Sequence, residues 1–117
     1  MSNAADCIFC KIVAGEIPST ELASSEHAYA FRDLNPVAPV HVLVVPRTHV
    51  RDATEVDAGH GDVLADMLQL ARQVATAEGI LDGGYRLVFN VGDDAGNTVP
   101  HLHLHVIGGR AMAWPPG

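Results

Sequence analysis

Residues 101 to 107 read HLHLHVI, a strict alternation of histidine and apolar side chains for most of its length. A period of two belongs to a β-strand, whose successive side chains point to opposite faces, and not to a helix. A strand over His101 to Ile107 sends Leu102, Leu104 and Val106 to one face and His101, His103 and His105 to the other. Any fold must bury the first face and keep the imidazoles together on the second. Cβ atoms along one face are about 7 Å apart, twice the rise per residue, which suits a central reacting histidine with two supporting neighbours.

The rest of the chain supplies a partner layer. Residues Cys7 to Ala14 predict two helical turns with Asp6 as N-cap and Gly15 as a left-handed stop. Thr20 to Ala23 and Ala28 to Phe31 predict a hairpin, and Val40 to Val45, ended by Pro46, a central strand. Between Asp62 and Ala77, apolar Val63, Leu64, Met67, Leu68, Ala71, Val74 and Ala75 recur at helical spacing, with Gly79 as the stop. Tyr85 to Val91 predicts a strand, followed by the glycine-rich turn GDDAGNT. Strands in runs with one long helix inserted predict an α+β fold: an antiparallel sheet of about five strands, one long helix on a face and a short N-terminal helix.

A chain of 117 residues with 48% apolar content suits one domain, taken as residues 6–117, with 1–5 as a frayed end or cloning remnant. Fourteen acidic against seven basic residues give a formal charge of -7, which argues against long nucleic acids or anionic lipid as partners. No apolar run nears the roughly 20 residues of a membrane span, and no cationic and apolar leader is visible, so a cytoplasmic location is expected.

A neutral imidazole has one nitrogen free to attack and another whose N–H can be fixed by an acceptor, so His103 is the candidate nucleophile. Gly92 and Gly96 let the turn before it expose backbone N–H groups, and Asn97 and Thr98 add side-chain donors, a candidate phosphate site. Asp93 and Asp94 would repel phosphate and are expected to face solvent. Taken alone, three alternating histidines suit a metal site first, or simply polar residues on an exposed strand face.

The motif HLHLHVI, together with CIFCKI, FRDLNPVAPVHVLVVPRTHV, NVG, AGNTVPHLHLHVIGGR and MAWPPG in that order, resembles the histidine triad family from Cys7 to Gly117. The closing WPPG resembles its purine nucleoside phosphoramidase branch. The resemblance implies a HIT-like fold and hydrolysis of the P–N bond of AMP- or GMP-type phosphoramidates through a nucleotidyl intermediate on His103. Rival readings are a non-catalytic nucleotide-binding adapter and a dinucleoside polyphosphate hydrolase. By the same resemblance His105 and His41 flank the phosphate and assist proton transfer, Asn90 and Thr98 hydrogen-bond beside it, and Gly96 and Asn97 belong to the nucleotide site. Asp33 accepts the ribose hydroxyls, and Ile8, Phe9, Ile12, Phe31, Leu34 and Leu43 form the purine slot. Trp114 reaches a neighbouring subunit, which implies a homodimer. Arg32, Thr98 and Pro100 depart from the residues common at their positions and bear on the leaving group.

Cys7 and Cys10 form a C-x-x-C pair, readable as a metal half-site, a redox pair or two small core residues. His49 and His101 would complete a Cys₂His₂ set for structural zinc, as in family members that keep both cysteines. No metal is expected in the chemistry. His27 and His60 are expected to be solvent-facing.

Overall fold

The computed structural model describes residues 6–117, so the expectation for residues 1–5 lies outside the described residues. Five antiparallel strands form one sheet: β1 (Glu21–Ser24), β2 (Ala28–Arg32), β3 (Val40–Pro46), β4 (Tyr85–Val88) and β5 (Leu104–Gly108), in the order β1-β2-β3-β5-β4. The expected α+β architecture is the one observed. From β3 the chain passes through helix α2 (Gly61–Ala77) to the outer strand β4 and returns to insert β5 beside β3.

Alternation in the two central strands divides the sheet into two chemical faces. Val42, Val44, Leu104 and Val106 are fully or almost fully buried in one cluster with Met67, Leu70, Ala71 and Val74 of α2. The opposite face carries Tyr29, Phe31, Leu43 and Val45 against Cys7, Phe9 and Ile12 of the short helix α1 (Ile8–Val13) and its cap. That second face also holds the histidines of β3 and β5, because Leu43 pairs with His105 and His41 with Ile107 in register.

Several boundaries differ from the sequence expectation. Strand β5 begins at Leu104 because the preceding amides are taken elsewhere: His101 N–H donates to Val99 O (2.9 Å) and Leu102 N–H to Val50 O (2.6 Å). Strand β4 ends at Val88, whose partner His105 is the second residue of β5, so the expected strand over residues 89 to 91 does not form. The cap of α1 is Cys7 and not Asp6, since the Cys7 sulfur accepts the Cys10 N–H at 3.3 Å. His60 is no bystander: its Nδ1 accepts the Asp57 N–H at 3.1 Å and completes a capping box before α2. No helix among the described residues is long and apolar enough to cross a membrane.

Candidate active site and metal cluster

A cleft of about 460 Å³ opens on the histidine face. Its apolar wall is Ile8, Phe9 and Ile12 of α1 with Phe31, Leu34 and Leu43, and its polar end holds Asp33, Asn90, Gly96, Thr98, His103 and His105. Phe9 sets its ring against His103 (centroids 5.2 Å, 77°), and His103 meets His105 at 5.1 Å. Most of the expected site residues therefore converge on one cavity. Leu34 is 92% exposed and forms a lip, not a packed wall.

Hydrogen bonds to the main chain decide which nitrogen of each ring carries a proton. His103 Nδ1 lies 2.7 Å from His101 O. A carbonyl only accepts, so Nδ1 is the donor and Nε2 of the neutral ring keeps the lone pair. His41 is read the other way: its Nδ1 accepts the Val37 N–H at 3.1 Å, so its proton sits on Nε2. That proton points to His105 Nδ1 at 2.8 Å and to Asp33 Oδ2 at 3.3 Å. His105 Nδ1 is then an acceptor, and His105 Nε2 bears the hydrogen. The result is a base and a donor side by side: a lone pair on His103 and an N–H on His105.

Low-dielectric surroundings keep the supporting rings neutral. Burial pushes His105 down to about 4, helped by the neighbouring His103 and His41 and opposed by Asp33. Burial also holds His41 below its usual range, against the pull of the Asp33 carboxylate. Asp33 is fixed in turn, with Oδ1 accepting the Asn35 N–H at 2.8 Å and its own N–H donating to His41 O at 3.0 Å.

The glycine turn expected to hold phosphate spends part of its amide set on itself. Gly92 and Gly96 have positive φ (81° and 79°) around a 3₁₀ turn at Asp93–Ala95, and Asp93 and Asp94 are exposed as expected. The turn uses its own amides: Ala95 and Asn97 N–H donate to Gly92 O, and Gly96 N–H to Asp93 O. Asn90 Nδ2 holds it by donating to Ala95 O (3.0 Å), so Asn90 is partly a brace. Asn97 turns its Oδ1 to the Val99 N–H (3.3 Å) and lines an adjacent groove with Arg51 and Asp52 instead of the cleft. Trp114, 82% exposed, does not line the cleft of its own chain.

Behind the cleft, Cys7, Cys10, His49 and His101 bring their ligand atoms within 4.8 Å of one another. Cys7 Sγ lies 3.1 Å and Cys10 Sγ 3.4 Å from His101 Nδ1, and Cys10 Sγ lies 3.3 Å from His49 Nδ1. A tetrahedron with zinc bonds of about 2.0 to 2.3 Å has edges of roughly 3.3 to 3.8 Å, close to these separations. His101 Nε2–H donates to Pro46 O at 3.0 Å, leaving Nδ1 unprotonated toward the sulfurs. Burial pushes the Cys10 thiol up to about 11, with the Cys7 hydrogen bond adding to it, so binding a metal must displace its proton. The cluster suits a structural Zn²⁺.

Pro18, Ser19 and Thr20 also line the cleft, and nothing in the sequence pointed to them. They belong to the link between α1 and β1, with Ser19 Oγ 2.9 Å from Tyr29 OH. Loop residues with no periodicity leave no pattern to read. Arg32 borders the cleft but bonds Glu78 at 2.7 Å.

Residues 14–112 match the family model described as the HIT domain. Over 116 residues the chain is 45% identical to a 14 kDa zinc-binding protein of Brassica juncea, covering 96% of this chain and 100% of that protein. It is 43% identical over 114 residues to Adenylylsulfatase HINT1 of Arabidopsis thaliana, covering 94% and 76% respectively. Its fold is similar to the crystal structure of a HIT family hydrolase from Legionella pneumophila Philadelphia 1, with a TM-score of 0.93, 46% identity and coverage of 96% and 100%.

Proposed function

The chain belongs to the HIT family, and from that premise we propose that it is a nucleotide hydrolase that splits the P–N bond of purine nucleoside 5'-phosphoramidates. The observation that carries this reading is the pair of complementary tautomers, a lone pair on His103 Nε2 and a hydrogen on His105 Nε2, at the polar end of an apolar cleft. The hydrolase and adenylylsulfatase names of its relatives support the class.

In the proposed reaction the purine lies along Phe9, Phe31 and Leu43, and the ribose hydroxyls donate to Asp33. The amine must depart neutral, so its nitrogen takes one proton from solvent before the bond breaks. His103 Nε2 attacks phosphorus, the P–N bond breaks, and its electron pair leaves with the nitrogen. His105 Nε2–H donates a hydrogen bond to the lone pair appearing there, while Thr98 and Asn90 support the phosphoryl oxygens. Water then attacks phosphorus, freeing His103 and the nucleoside monophosphate and returning one proton to solvent. Zinc held by Cys7, Cys10, His49 and His101 would supply structure only, securing His101 and hence the carbonyl that orients His103.

Residues 6–117 act as one HIT domain in a cytoplasmic homodimer, with Trp114 completing the partner's site. The edge beyond β4 supports this, since alternating Leu87, Phe89 and Val91 are 43%, 36% and 38% exposed. A second reading is favoured by one relative's name: a sulfate leaving group in place of an amine.

The test is trapping. Acid-free quenching during turnover of an adenosine phosphoramidate, followed by peptide mass spectrometry, should find one nucleotidyl group on His103. Label on another residue, or AMP binding without any turnover, would overturn the reading in favour of other chemistry or of an adapter. Asp33→Asn should raise KM for the ribonucleotide about tenfold, the effect of weakened hydrogen bonds, and leave KM for the 2',3'-dideoxy analogue nearly unchanged. Equal changes for both would remove Asp33 from the ribose site.

A further inference from the structure

The proton pattern of the histidine pair depends on a residue outside the cleft. His41 holds its hydrogen on Nε2 because Nδ1 accepts the Val37 N–H at 3.1 Å. Val37 is 56% exposed and lies in the loop between β2 and β3, outside the sheet ladder. Its own carbonyl oxygen accepts a hydrogen bond from Arg110 Nε at 3.0 Å. Arg110 stands just past the end of β5, 73 residues away in sequence, and its Nη1 donates to Ala111 O at 3.2 Å. The same turn runs close to the loop at a second point: Gly109 has φ +91°, and a Cβ added there would come 3.0 Å from Pro39 Cβ. One hydrogen bond and one close backbone approach thus join the turn after β5 to the loop that carries the Val37 amide.

We infer that Arg110 is a positioning residue: by holding the Val37 carbonyl it keeps the Val37 N–H on His41 Nδ1, and so determines that His105 presents a hydrogen, and not a lone pair, to the leaving group. The inference rests on the reaction proposed above. Without Arg110 the Val37 residue can turn, and His41 can carry its proton on Nδ1 with Nε2 bare. A bare Nε2 faces His105 Nδ1 at 2.8 Å and Asp33 Oδ2 at 3.3 Å. The Asp33 carboxylate opposes that state and the Val37 amide is the second restraint against it; where it forms, two lone pairs cannot share the 2.8 Å contact, so His105 moves its proton to Nδ1 and its Nε2 becomes an acceptor. The departing amine then loses its hydrogen-bond donor, although the nucleophile and purine slot are untouched. A leaving group that departs as a stabilised anion needs that donor far less.

The experiment compares the full chain with Arg110→Ala and Arg110→Lys on an N-alkyl adenosine 5'-phosphoramidate and on the p-nitrophenyl ester of AMP. Arg110→Ala should lower kcat for the amine substrate about 10- to 100-fold, as for one lost hydrogen bond, with KM and the ester rate each within about threefold. Arg110→Lys, which still reaches an acceptor with a charged N–H, should restore most of the loss. Long-range ¹⁵N spectra should show the protonated nitrogen of His105 exchanging from Nε2 to Nδ1 in the alanine variant alone. Equal loss on both substrates, a change confined to KM, or unaltered ¹⁵N patterns would overturn the inference. If the wild-type chain turns over neither substrate, the proposed function fails, and the spectra still decide whether Arg110 sets the tautomers.

Discussion

His103 Nδ1 sits 2.7 Å from the carbonyl oxygen of His101, so the residue two places earlier on the chain determines which nitrogen of His103 keeps its lone pair. The same His101 offers its ring to the Cys₂His₂ cluster and its Nε2–H to Pro46 O. Cluster and proposed nucleophile are therefore joined through one short stretch of backbone. Replacing His103 by Ala should lower kcat by more than about 10³-fold, because a nucleophile is lost outright, while AMP affinity by calorimetry stays within about threefold. Retained turnover in that variant would remove His103 from the chemistry.

Acidification should destabilise the metal-free protein before carboxylates titrate. His101 and His105 fall from the ordinary 6.5 to about 4, chiefly through burial. Between those values the unfolded chain binds more protons than the folded one, so the stabilisation is complete above about pH 6.5 and is lost as pH falls toward about 4. Urea midpoints measured at pH 7.5, 6 and 5 should decline in that order, and a midpoint that rises toward pH 5 would contradict the assignment.

Metal analysis of the purified chain should find one zinc per polypeptide, released together with the loss of Cys7 or Cys10 in a serine variant. Stripping it with a strong chelator should lower the melting temperature by about 10 °C, as expected when a few kcal/mol of metal-linked folding energy is removed. Turnover below the new melting temperature should persist. Loss of turnover while ¹⁵N spectra still show His103 protonated on Nδ1 would place the metal in the reaction.

Gly108 closes β5 where no side chain fits. A Cβ there would lie 2.8 Å from Ile80 Cδ1 and 3.2 Å from both Ile80 Cβ and Tyr85 Cβ. Gly108→Ala should cost about 1 to 3 kcal/mol by overpacking, read as a lower urea midpoint at unchanged slope. Adding Ile80→Val, which removes the Cδ1 methyl, should recover part of the loss. A Gly108→Ala chain as stable as wild type would show that the sheet yields there.

The triad was legible because a strand's pleat is local: alternation alone put His101, His103 and His105 opposite Leu102, Leu104 and Val106, and helical spacing gave α2 within one residue of its start. The apolar wall was expected from family resemblance and the Cys₂His₂ set from residue types together with it, and the fold assembles each. The internal bonds of the glycine turn and the bond of Asn97 to the Val99 N–H were not legible, because glycine content shows that a turn can bend but not where its amides point.

By itself, the sequence determined the two faces of the sheet, the long helix and the residues able to do the chemistry, since periodicity and residue type are properties of short stretches. Only the tertiary structure decided which nitrogen of each histidine holds a proton. Those choices are made by the Pro46 and His101 carbonyls and the Val37 amide, main-chain groups that every residue possesses and that acquire meaning only when folding sets them against a particular ring.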